Sequence, residues 1–112
     1  MQRKLSLDEV KSILREDLLK CDPQQLAVYR QYSVGPYFAP LMRYGNWEEV
    51  AVVARKGNEV IYWEEIEEGF NVSPLGPDGS IVEHWCNQDE LRWALNHWIP
   101  GRAVPYKFKR HD

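Results

Sequence analysis

Trp47-Glu48-Glu49-Val50-Ala51-Val52-Val53-Ala54-Arg55-Lys56-Gly57-Asn58-Glu59-Val60-Ile61-Tyr62-Trp63 holds two runs rich in β-branched and aromatic residues, parted by a short turn at Lys56-Gly57-Asn58. Such residues pack well on a pleated surface, and a glycine-containing break between two such runs favours a tight reversal. The segment predicts an antiparallel hairpin, with strands at Val50 to Ala54 and Glu59 to Ile66. Phe70 to Ser73 predicts a third strand, Gly76-Pro77-Asp78-Gly79 a turn, and Ile81 to Trp85 a fourth strand. The centre of the chain is expected to be a β-meander.

Working outward, the period becomes helical. Leu7, Val10, Ile13, Leu14 and Leu18 fall on one stripe between Ser6 and Lys20, and Ser6 with Glu9 forms a capping box. Asp22, Pro23 and Gln25 mark a second, short helix whose buried side is expected at Leu26, Tyr29 and Tyr32. Val34 to Asn46 is apolar but interrupted by Pro36 and Pro40, and predicts a packed connection. Past the meander, Asn87 with Glu90 predicts the cap of a third helix carrying Leu91, Ala94, Leu95, Trp98 and Ile99 on one face, ended by Pro100-Gly101. The order implies an α+β fold: an antiparallel β-meander of about four strands packed against two N-terminal helices and one C-terminal helix. One core is expected, with Val50, Val52, Ala54, Ile61, Trp63 and Ile81 facing Leu14, Leu91, Leu95 and Trp98.

A chain of 112 residues that is 44% hydrophobic and 12% aromatic fits a single globular domain spanning residues 1–112. Its basic tail, residues 102–112, either adds a short strand through Tyr106 and Phe108 or stays mobile. No run approaches the ~20 apolar residues of a membrane-spanning helix, and Met1 to Lys11 is charged without an apolar stretch behind it, so a soluble, cytoplasmic protein is expected. Cys21 and Cys86 stand far apart and outside any CxxC spacing, which fits reduced thiols.

Charge is sorted along the chain. Trp47 to Glu90 carries eleven acids and two bases, a balance of −9, so the remainder must carry +6 to give the whole-chain −3. The densest stretch places Glu64, Glu65, Glu67 and Glu68 beside Trp63 and Phe70. Those glutamates either solvate an edge and discourage strand pairing, or form a docking surface for a basic partner with apolar anchors among Trp47, Tyr62, Trp63 and Phe70. The partner-binding residues expected on the second reading are Trp63, Glu64, Glu65, Glu67, Glu68 and Phe70.

Catalytic motifs are missing from the sequence. There is no P-loop, no GxGxxG after a strand and no HExxH. Glu83-His84-Trp85-Cys86 is the closest approach to a nucleophile with its base, without a glycine-rich elbow, and the histidines and cysteines lack zinc-site spacing. No catalytic residue, metal or cofactor is therefore expected. Tyr106-Lys107-Phe108-Lys109-Arg110 alternates bases with aromatics as a single-strand groove does, but the acidic centre repels phosphates, so no nucleic acid is expected.

In size, acidity and surface aromatics, though through no motif, the profile resembles the small cytoplasmic immunity proteins with which bacteria neutralise their own toxins. That resemblance implies a non-enzymatic binding protein, monomer or homodimer, that masks a basic toxin or enzyme partner. The alternatives are a small enzyme or ligand-binding domain with a site near His84, Cys86 and Tyr62, or a homo-oligomer whose exposed tryptophans form the subunit interface.

Overall fold

The computed structural model describes residues 5–82 and 89–102. Two helices, α1 (Leu7–Leu18) and α2 (Pro23–Tyr32), precede four strands, β1 (Ser33–Arg43), β2 (Asn46–Lys56), β3 (Glu59–Glu64) and β4 (Gly69–Pro74); α3 (Leu91–Leu95) follows and runs into a 3-10 turn at Asn96–Trp98. The strands form one antiparallel sheet in the order β1-β2-β3-β4. The α+β architecture and the helices at both ends are as expected from the sequence.

Both N-terminal helices start where local chemistry says. Ser6 Oγ accepts the Glu9 amide at 3.1 Å while the Glu9 carboxylate accepts the Ser6 amide at 3.0 Å. Asp22 and Gln25 make the same reciprocal pair at the start of α2. The α2 core face is Val28, Tyr29 and Tyr32, with Gln25 buried beside them, rather than the expected Leu26. Gln25 tolerates burial because its amide donates to Arg92 O at 3.2 Å and Asn96 Oδ1 at 2.9 Å, tying α2 to the C-terminal helix. Glu90, expected inside the third helix, is its N-cap residue, and Asp17 of α1 accepts the Leu91 amide at 2.9 Å. Asn87 lies outside the described residues.

The strand membership differs from expectation at both ends of the meander. Ser33–Arg43, expected as a connection, is the edge strand β1. Proline is compatible with it because an antiparallel residue points its N and O to the same side. Pro40 O accepts the Ile81 amide at 2.9 Å, so Pro40 faces away from β2 and removes no donor from that ladder. Pro36 falls where the register shifts between Ser33 and Tyr37. Of the fourth strand expected at Ile81 to Trp85, Ile81 makes only isolated bridges to Leu41 and Leu75, Val82 belongs to no strand although its amide donates to Pro74 O at 3.2 Å, and residues 83–85 lie outside the described residues. β3 stops at Glu64, and residues 65–68 form the turn into β4.

The sheet buries both faces. On the helix side Ala51, Val53, Ala54, Ile61, Trp63, Phe70 and Val72 pack with Val10, Leu14, Leu91, Leu95 and Trp98. On the other side Ala39, Leu41, Val50, Val52, Val60, Tyr62, Leu75 and Ile81 form a second cluster. The single expected core is therefore divided: Ala54, Ile61 and Trp63 face the helices, whereas Val50, Val52 and Ile81 do not. The register sets Trp63 opposite Ala51, so Val50 and Val52 take the other face, and a bulge returns Ala54 to the helix side, since Val52 pairs with Tyr62 but Ala54, not Val53, pairs with Ile61.

Phe70 is wholly buried and meets Trp63 edge-to-face at 5.1 Å. Phe70→Ala is expected to lower unfolding stability by about 3–5 kcal/mol in urea titration, the range for deleting a buried aromatic. His97, half-buried within the 3-10 turn, has its pKa held below the ordinary 6.5 by burial. The unfolded chain then binds the proton more readily, so stability present above about pH 6.5 falls as pH drops through that value. Thermal midpoints measured from pH 7.5 down to 5.5 should decline, and less steeply in His97→Gln.

Candidate functional site

In an up-and-down meander the β1–β2 and β3–β4 turns lie at the same end of the sheet, opposite the Gly57 turn. That end gathers most of the solvent-facing apolar surface of the strands: Tyr44 is 86% exposed, Trp47 60%, Met42 45% and Ile66 45%. Met42 and Trp47 are direct cross-strand partners, so their side chains share a face. Tyr44-Gly45 makes the two-residue reversal with both φ positive, at 50° and 78°, the hand that matches strand twist. Glycine adopts this freely, but Tyr44 does so at a steric cost, and Glu68 repeats the feature in the second turn with φ 55°.

Glu48, Glu49, Glu65, Glu67 and Glu68 lie at the same end, Glu48 on the sheet face opposite Met42 and Trp47. Between the two turns lies a pocket of about 280 Å³ lined by Arg43, Glu48, Glu49, Val50, Glu64, Glu65 and Ile66. Its floor is an ion pair with side chains only 3% and 0% exposed, Arg43 Nη2 donating to Glu64 Oε2. Arg43 Nη1 also lies 3.3 Å from the half-exposed Glu48 carboxylate. Glu64 Oε1 accepts the Ile66 amide at 3.0 Å, and Glu65 accepts the Leu5 amide at 3.2 Å. Buried Arg43 Nε finds no acceptor.

The six residues expected to bind a partner are divided by this geometry. Trp63 and Phe70 face the helices as core, and Glu64 is buried in its ion pair. Glu65, Glu67 and Glu68 do occupy the turn, at least partly open to solvent. Tyr62 is wholly buried in the second cluster, while His84 and Cys86 lie outside the described residues. Trp47 was legible as a candidate anchor; Met42, Tyr44 and Ile66 were missed. The available signal was Tyr44-Gly45 between two apolar runs, which becomes a hairpin only once residues 33–43 are recognised as a strand.

Elsewhere the described residues offer little chemistry. Burial, reinforced by Asp17 and Asp22, pushes the Cys21 thiol up to about 11, so it is scarcely ionised at neutral pH. No group of three or more His, Cys, Asp or Glu among the described residues is arranged to hold a metal ion. No helix among them is long and apolar enough to cross a membrane. No protein-family model matches the chain, and neither the curated proteins nor the solved structures yield a match.

Taking both charges into a nonpolar interior is costly, and removing one leaves the other uncompensated. Arg43→Met alone is expected to cost about 3–5 kcal/mol in chemical denaturation, whereas Arg43→Met with Glu64→Leu should approach wild-type stability.

Proposed function

We propose that the protein is a non-enzymatic binding module whose acidic sheet end masks a basic protein partner, in the manner of a bacterial immunity protein. The observation that carries this reading is the exposure of Tyr44, Trp47, Met42 and Ile66 together, at the end where Glu48, Glu49, Glu65, Glu67 and Glu68 cluster. Aromatic anchors within a charged rim are the usual composition of a protein interface. The pocket, at about 280 Å³, lies just below the ~300–1,000 Å³ of typical small-molecule sites and suits a single basic side chain.

The carboxylates and the aromatics have separable duties. Charges on the rim steer encounter and set the association rate, whereas a desolvated anchor holds the complex and sets its lifetime. With a lysine- and arginine-rich peptide as probe, amide shifts should centre on residues 42–49 and 65–68. Glu65→Lys with Glu67→Lys should slow association and flatten its salt dependence. Trp47→Ala should speed dissociation with a loss of about 2 kcal/mol or more, while changing folding stability by less than about 0.5 kcal/mol. An unchanged rate and salt dependence in the lysine variant would reduce the glutamates to a solvated face.

A further inference from the structure

We infer that Arg43 and Glu64 are positioning residues that hold the two turns of the acidic sheet end in one fixed arrangement. This deepens the binding reading above and rests on it for its purpose, though not for its test. Arg43 ends β1 immediately before Tyr44, and Glu64 ends β3 immediately before the 65–68 turn. β2 lies between these strands, so no backbone ladder joins β1 to β3. Their ion pair spans that gap.

The carboxylate of Glu64 is shared between the two jobs. One oxygen takes Arg43, and the other takes the Ile66 amide inside the second turn. The guanidinium reaches in turn to the half-exposed Glu48 on β2, so side chains of three strands converge where both turns begin. Such a pair adds little net stability, because desolvating two ions offsets most of their attraction. Apolar side chains would suit positions flanked by Leu41 and Val50 at least as well. What apolar residues would not supply is direction: a fork with fixed donors specifies where each turn must lie. Tyr44 and Glu68 sharpen the point, since non-glycine residues at positive φ persist only where their surroundings over-determine the backbone. A surface held in its bound shape loses less entropy on association.

The test uses NMR relaxation on the free protein, without any partner. In Arg43→Met the order parameters of residues 66–68, on the opposite turn, should fall from about 0.85 to below about 0.6, while those of Val52 and Ile61 hold. The double variant Arg43→Met with Glu64→Leu, which leaves no uncompensated charge, should loosen both turns with an unchanged thermal midpoint. It also decides the matter should the single variant fail to fold. In the same double variant, association with the lysine-rich peptide should slow several-fold. Rigid turns in the double variant would overturn the proposal, and so would uniform loosening that includes Val52 and Ile61. Loosened turns in a protein whose wild type ignores the peptide would uphold the coupling and sink only the binding reading.

Discussion

Ala51 pairs with Trp63 and Val52 with Tyr62, but the next partner of Ile61 is Ala54, and the extra residue Val53 sets the terms for the whole sheet. Side chains alternate along a strand, so one inserted residue exchanges the faces beyond it. Here the exchange lets Val53 and Ala54 both serve the helix side, while Val50 and Val52 serve the other. The central strand thereby feeds two clusters, and each neighbour inherits its register from it. Trp63 and, across from it, Phe70 take the helix face through the Ala51 pairing on the near side of the bulge, and Glu64, one residue on, falls on the opposite face, where it meets Arg43.

The helical parts of the molecule were legible because their signals are local. Ser6 with Glu9, and Asp22 with Pro23 and Gln25, satisfy amides within three residues of themselves, and nothing distant alters that outcome. Gln25 shows the limit of the same reasoning. A polar side chain is buried in preference to Leu26 because Arg92 and Asn96 happen to supply its partners, about seventy positions away. β1 was obscured for a related reason: Pro36 and Pro40 argue against a strand unless one knows that it lies at an edge, and strand order is not a local property.

The candidate site was half legible. Its location followed from the glutamates, because charge density is visible in any sequence. Its anchors did not follow, because Trp63 and Phe70 stand beside the acids in sequence yet point to the helices in space. Trp47 and Met42 share the face of Phe38 and Ala51, but they sit beyond the reach of the helices and so remain open. Whether an aromatic on a strand is core or surface depends on how far the covering layer extends, and neither alternation nor composition records that length.

The depth of the Arg43–Glu64 pair separates two responses to the ionic environment. Counter-ions crowd exposed carboxylates and weaken their reach beyond about 8 Å at physiological salt, but they scarcely penetrate to a contact sealed from solvent. The field that Glu65, Glu67 and Glu68 project is thus adjustable by the surrounding medium, whereas the shape beneath it is not. On the binding reading proposed above, a cell that altered its salt or polyamine content would change how often a cationic partner arrives at this end of the sheet without reshaping the buried contact beneath it.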